Sequence, residues 1–209
     1  MAQRYHPYCF LFCFLLFSVV SVAQEEEVLH YEDGTIKAKG ILKNEIKSGL
    51  WFYYFPSGEI SSEEEYQEGM LNGNIKYFDD HGNIIALEIW QKGIQEDSSV
   101  YFFSNGQIEK KGVFLNGLYA GKWSFFFESG QLKRSGYYTD GLPEGDWKFY
   151  NKQSILIQEG SFENGLEQGK WKFYDDAGKL QFIGNFQVGE KTGKWLRINK
   201  KGKSKPYKY

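Results

Sequence analysis

Cysteine is nearly missing from this chain and is confined to one end, at Cys9 and Cys13. If that leading segment is removed, no thiol remains, which excludes disulfide staples and thiolate metal sites from the rest. Histidine is scarcer than proline, 3 residues against 4. Outside the leader only His30 and His81 are left, far apart in sequence and without ligand spacing, so a histidine metal centre lacks its raw material. Asp80 next to His81 is not expected to form a catalytic pair, because neighbouring strand residues point to opposite sides. A long hydrophobic run is missing too, apart from Tyr8 to Val20. That run is short for a membrane span. It follows Arg4 and His6 and ends in small residues at Ala23, so residues 1–23 read as a secretory signal peptide cleaved after Ala23, with an uncleaved anchor as the alternative. Neither cysteine stands in a lipoprotein cleavage context. The expectation is an exported protein, whether periplasmic, outer-membrane-associated or secreted.

A dominant charge of one sign is also lacking. Residues 24–209 carry 24 basic and 27 acidic side chains, a net charge of −3. The near-balance hides a polarity: from Glu190 onward there are eight basic residues and one acid, leaving −10 on residues 24–189. What the chain has in abundance is glycine, 24 residues, and aromatic side chains, 19% of the total. Together these point to many short strands joined by glycine turns.

The order behind that composition is a 24-residue step. Three near-copies begin at Gly121, Gly145 and Gly169: GKWSFFFESGQLKRSGYY, GDWKFYNKQSILIQEGSF and GKWKFYDDAGKLQFIGNF. Extended over the chain, the step aligns turn glycines at Gly34, Gly58, Gly82, Gly106, Gly130, Gly178 and Gly202, with Ser154 standing in once. An aliphatic residue follows two positions later, from Ile36 to Leu180, and a second glycine recurs at Gly69, Gly93, Gly117, Gly141, Gly165 and Gly189. Each half-unit is only about ten residues long and rich in aromatic and β-branched side chains, which argues for strand over helix. The expected fold is all-β: an elongated, twisted single antiparallel sheet of about eight stacked β-hairpins over residues 24–205. Residues 190–209 form its basic C-terminal cap. At two strands per hairpin the ribbon would extend roughly 10 Å per repeat, on the order of 75 Å in all.

Strand alternation places Trp171 and Phe173 on one side and Tyr174 on the other. If the turns are the two-residue kind suggested by Asp33-Gly34 and Asn105-Gly106, Trp123 lies opposite Gly136, Trp147 opposite Gly160 and Trp171 opposite Gly184. Each indole can then lie across backbone that carries no side chain. Pro56-Ser57-Gly58 fits a three-residue loop with a bulge instead; the two-residue register is the expectation.

The unit G-x-W-x-F-Y-x-x-x-G-x-L-x-x-x-G-x-F-x-x-G resembles the MORN repeat, in the variant found in tandem in exported bacterial proteins. The resemblance extends over residues 27–202. It implies an elongated sheet of stacked hairpins and the role of an interaction scaffold; some relatives contact acidic phospholipids and others are described as antitoxins. No residue motif for those roles carries over. The pattern lapses locally, where Ile75 replaces the tryptophan and where Asp97 and Ser99 replace the glycine and tryptophan.

Candidate binding residues are therefore surface rows. The tryptophans Trp51, Trp123, Trp147, Trp171 and Trp195 could stack on sugars or on a partner, or could hold the sheet together. The row Tyr54, Phe78, Phe102, Phe126, Tyr150 and Tyr174 lies among polar neighbours and is the better candidate for exposure. Asp97 and Ser99 mark a stretch, Ile75 to Ser99, where a specificity patch is expected. Asp79-Asp80 and Asp175-Asp176 occupy equivalent turn positions, which turn chemistry alone would produce. Glu63, Glu64 and Glu65 read as a solvated strand face, Glu64 excepted if it opposes Trp51. No catalytic set, cofactor or metal is expected. The functional expectation is a monomeric, non-enzymatic scaffold for an unknown protein partner at the cell envelope. The alternatives are a module for anionic lipid or polysaccharide, favoured by the basic terminus, or an antitoxin. Export argues against nucleic acid as a partner.

Overall fold

Alternating aromatic and polar residues between closely spaced glycines leave the backbone few options besides hairpins, and hairpins are what form. In the computed structural model, residues 24–209 are described; the signal-peptide expectation for 1–23 lies outside them. The strands are Gln24–His30 (β1), Ile36–Lys43 (β2), Ile46–Tyr54 (β3), Ile60–Gln67 (β4), Met70–Leu71 (β5), Gly73–Phe78 (β6), Ile84–Gln91 (β7) and Ile94–Phe102 (β8). They continue with Ile108–Leu115 (β9), Leu118–Phe126 (β10), Leu132–Thr139 (β11), Leu142–Tyr150 (β12), Leu156–Glu163 (β13), Leu166–Tyr174 (β14), Leu180–Gln187 (β15), Glu190–Ile198 (β16) and Ser204–Tyr207 (β17). All 17 belong to one open antiparallel sheet, and the described residues contain no helix. Strand follows strand in sequence order as eight hairpins, β5 and β6 being two pieces of one strand.

The expected pairings are present: Trp123 opposite Gly136, Trp147 opposite Gly160, Trp171 opposite Gly184. The turns that produce them are not the expected kind. The Phe127 N–H donates to the Gln131 carbonyl at 2.9 Å and the Gly130 N–H to the Phe127 carbonyl at 2.8 Å, which encloses three loop residues, with Gly130 at φ +87°. This is a type I turn closed by a glycine bulge. It would slip the register by one, but a second bulge restores it: Phe126 pairs with Leu132 while Phe125 pairs with Arg134, so Lys133 is the extra residue. The same double adjustment recurs in the other hairpins except the last. There β16 and β17 pair without a shift, which sets Tyr207 against Trp195. Two-residue turns do occur, between hairpins. Asn116-Gly117 and Asn164-Gly165 have both residues at positive φ, as the twist of tightly joined strands favours.

The indoles also sit differently from the simple expectation. On the side facing the preceding hairpin, Gly121, Lys122 and Trp123 together oppose the single residue Gly112, with Gly121 at φ +62°. The bulge folds the indole back over Gly112, where an added methyl would overlap the ring. Its Nε1 donates to the Val113 carbonyl at 3.0 Å. The glycine that each tryptophan covers thus belongs to the hairpin before it. Gly40 with Trp51, Gly136 with Trp147, Gly160 with Trp171 and Gly184 with Trp195 repeat the arrangement.

The core is one face of the sheet. Tyr119 stacks on Trp123 at 3.9 Å between ring centroids, and Phe114 and Tyr138 approach edge-on. From Phe114 to Trp195 each indole packs on the repeat before it, so that half of the sheet carries a continuous aromatic layer with nearest-neighbour contacts.

Candidate interaction surfaces

The tryptophan row is not a stacking platform. Trp51, Trp123, Trp147, Trp171 and Trp195 are all buried, the last at 3% exposure and Trp123 at 0%. Their faces and their N–H groups are engaged within the sheet, which is the structural role weighed against binding from the sequence.

The opposite row is half-buried rather than exposed: Tyr54, Phe78, Phe102, Phe126, Tyr150 and Tyr174 are all intermediate. Charged side chains approach Tyr54, Phe126 and Tyr174. The ammonium of Lys39 lies 5.6 Å from the Tyr54 ring centre, and that of Lys111 lies 5.9 Å from Phe126. Tyr174 donates to Glu159 at 2.7 Å, and the same carboxylate oxygen takes Lys172 at 2.7 Å. The Lys172 and Tyr174 hydrogen bonds hold the Glu159 carboxyl below its ordinary pKa. A partner meeting this face meets charge first and aromatic edges second.

The lapsed stretch has its own chemistry. Where the sequence loses its tryptophans it also loses the glycines they would cover: Glu64 stands where Gly40 and Gly112 stand, with Ile75 at the indole position, and Glu88 is matched with Ser99. The carboxylates fill the vacated space. Glu64 lies opposite Trp51 across the hairpin, as considered from the sequence, and accepts from Ser62 at 2.8 Å and from Tyr66 at 2.6 Å. Lys47 reaches the Tyr53 hydroxyl, which lies 3.0 Å from that of Tyr66. Glu88 accepts from Trp90 Nε1 at 2.8 Å and from Tyr101 at 2.7 Å, while Gln95 bridges Tyr101 and the buried Ser99. Burial pushes the Tyr66 and Tyr101 phenols well up, and the adjoining carboxylates add to it; Tyr77, between the two glutamates, is pushed up to about 12. Asp97 takes the left-handed glycine position at φ +59° and accepts its neighbour's N–H, from Ser98, at 2.6 Å. Of the two candidates from the sequence, Ser99 is buried at 1% exposure, while Asp97 is exposed at its bulge.

The acidic turns are caps. Asp79 Oδ1 accepts the N–H groups of His81 and Asn83, and Asp175 Oδ1 those of Ala177 and Lys179. Asn151 and Asn199 do the same at the equivalent places. The Asn83 side-chain amide, followed by its backbone N–H, lowers the Asp79 pKa, and the Lys179 N–H leads in lowering that of Asp175. Asp80 and His81 do touch, at 2.6 Å, because they are turn residues rather than strand residues, so the expectation that they point apart is corrected. Both are largely solvent-exposed. Among the described residues Asp79, Asp80 and His81 bring ligand atoms within 4.8 Å of one another.

Residues 47–68, 120–140 and 167–187 match the family described as MORN repeat variant. These are MORN-variant repeats. The matched segments fall on three of the eight hairpins, and the 24-residue step of the sequence runs on through the others. No curated protein matches the chain. Among solved structures, a GtfA/B complex bound to UDP and GlcNAc is 12% identical with a TM-score of 0.19, covering 63% of this chain and 23% of that one. A TcdB2-TccC3-Cdc42 structure is 12% identical with a TM-score of 0.18, covering 88% of this chain and 14% of that one. This chain spans less than a quarter of either, and likeness at that level carries no argument about function.

Proposed function

We propose that the chain is a non-enzymatic MORN-repeat scaffold whose long sheet surface engages another protein at the cell envelope. The observation that carries this reading is that most residues suited to chemistry are committed to holding the sheet together. The indoles cover glycines, the turn carboxylates cap backbone N–H groups, and Glu64 and Glu88 replace missing rings. What faces outward is a periodic surface of lysines, glutamates and aromatic edges repeated along the sheet, and MORN repeats in general are protein- or membrane-binding modules. The test is crosslinking and affinity capture from envelope extract with the full chain, at low and high salt. A specific protein retained at high salt is the expected result, and recovery of nothing above background would overturn the reading.

A second reading, recognition of an anionic polysaccharide or lipid, is favoured by one local feature. At the C-terminal end Phe173, Tyr174, Phe182 and Tyr207 line a groove of about 330 Å³ with Lys191 at its side, and Lys179, Arg197 and Lys200 border the adjoining groove. Flat rings beside cations suit an acidic sugar. Retention of polysaccharide at low salt only, abolished by Lys191→Glu with Arg197→Glu, would support this reading over the first.

A further inference from the structure

An open sheet has two edges, and here they are unlike. The C-terminal edge, β17, is four residues long, contains Pro206, which has no N–H to offer, and is surrounded by Lys200, Lys201, Lys203, Lys205 and Lys208. Tyr207 takes the place that glycine holds in the three hairpins before it, and Tyr209 packs against Trp195, so no further indole can be laid down there. Short length, proline and lysine are the usual means by which a protein prevents strand addition.

The N-terminal edge carries none of these blocks. Among the described residues β1 is paired on one side only, with β2, in continuous register from Gln24 opposite Lys43 to Leu29 opposite Ala38, the only shift coming at the last residue. Its seven residues include no proline, and all but one are exposed. The outward-facing backbone groups of such a strand are a template for one more strand.

What that strand must be follows from the side chains. Glu25, Glu26 and Glu27 are consecutive, so β1 presents carboxylates on both faces of the sheet. Among the described residues the ion pairs are Lys76–Glu63, Lys172–Glu159 and His81–Asp80, so none of the three is neutralised. Two copies of β1 side by side would set glutamate against glutamate, which repels. The chain's own basic strand β17 is the wrong occupant because of Pro206. After these three glutamates come Val28 and Leu29, 38% and 39% exposed, which offer apolar contact at the other end.

We propose that β1 is a strand-addition site for an extended, lysine- or arginine-bearing segment of a partner protein. Backbone hydrogen bonds supply the attachment and the three glutamates select for positive charge. The inference rests on the scaffold reading above and names the edge by which the partner is held.

The test uses the full chain and a short synthetic peptide alternating lysine with valine, followed by fluorescence anisotropy and by amide hydrogen exchange. Saturable binding is expected, with new exchange protection within residues 24–30. Methylating alternate peptide nitrogens, which keeps the charge and removes backbone donors, should abolish binding. The triple variant Glu25→Gln, Glu26→Gln, Glu27→Gln should weaken it about tenfold at low salt, the sum of three exposed charge pairs. Equal binding of the methylated peptide would reduce the interaction to nonspecific charge attraction and overturn the proposal. So would protection elsewhere than β1, failure to bind at all, or concentration-dependent self-association showing that a second copy takes the edge. If affinity capture from envelope extract retains a partner while β1 gains no protection, the scaffold reading stands and the edge assignment falls.

Discussion

A glycine and a tryptophan eleven positions later form the smallest unit of this fold, and each is needed because of the other. Gly160→Ala would drive a methyl group into the Trp171 indole, backed by strand on both sides. Overpacking of this kind costs about 1–3 kcal/mol or more, while Trp171→Ala removes a fully buried ring at about 3–5 kcal/mol. Urea unfolding of both single variants and the double variant should show the double well below the sum, since alanine at 160 is harmless once the ring is gone. Additive losses would mean that the ring does not rest on that glycine. The pairing was half legible from sequence. The cross-strand partner Gly184 was read correctly for Trp171, but the covered glycine, Gly160, was not, because the Gly169 bulge that turns the ring backward is a backbone feature. The clue lay in what disappears together: Glu64 with Ile75, and Glu88 with Ser99. The same cluster gives a pH prediction. Tyr66, Tyr77 and Tyr101 have pKa values raised by folding, so the unfolded chain loses these phenolic protons first. Their contribution is complete below an unfolded pKa of about 10 and is lost as pH rises toward the folded values. Thermal melts from pH 8 to 11 should be flat and then fall, and Tyr101→Phe should shallow the fall. An unchanged slope would place the alkaline loss elsewhere.

Four of the hairpin turns, those at Asp79, Asn151, Asp175 and Asn199, are closed twice, by backbone turn geometry and by a side-chain cap. Asp175 gathers two N–H groups of its own loop, as Asp79 does. Their depressed pKa values mean that the caps stabilise above an unfolded carboxylate pKa of about 3.9 and are lost as pH falls through the lower folded value. Asp175→Asn should leave the melting temperature at pH 7 nearly unchanged, since Asn151 and Asn199 already cap equivalent turns, and should blunt its decline below pH 4. Asp175→Ala should lower it at both pH values. If the asparagine variant tracks the alanine one, charge and not capping is the relevant property. Turn type was the part of the fold least visible in the sequence. Extending the two-residue turn suggested by Asp33-Gly34 and Asn105-Gly106 to the other hairpins gives the right register at Trp123 because two adjustments cancel, the three-residue loop and the extra residue Lys133. Only the proline at position 56 hinted at it.

For the whole molecule, contacts pass from each hairpin to the next, and the ends differ from the middle in charge and in edge. That is why architecture was legible and the partner was not: residues repeated every 24 positions are there to build the sheet, and a binding surface is written in the positions that vary. A nearest-neighbour array also makes a demanding prediction about length. Residues 145–168 form one complete 24-residue step, beginning at the Gly145 bulge and ending just before the equivalent Gly169. A duplicate of that segment inserted after Gln168 presents Gly160 to the copied Trp147 and the copied Gly160 to Trp171, so every interface it creates is of the glycine–tryptophan kind already in the protein. The enlarged chain should fold, with a steeper dependence of unfolding on urea because more surface is buried. An insert shorter by one residue moves every side chain beyond the junction to the opposite face, sending indoles toward the charged side, and should yield a protein that does not unfold cooperatively. Far-UV circular dichroism and urea titration of the two insertions decide the matter. Equal tolerance of both lengths would mean that the hairpins fold without reading their neighbours, which is incompatible with a sheet held together by indoles laid across the preceding repeat.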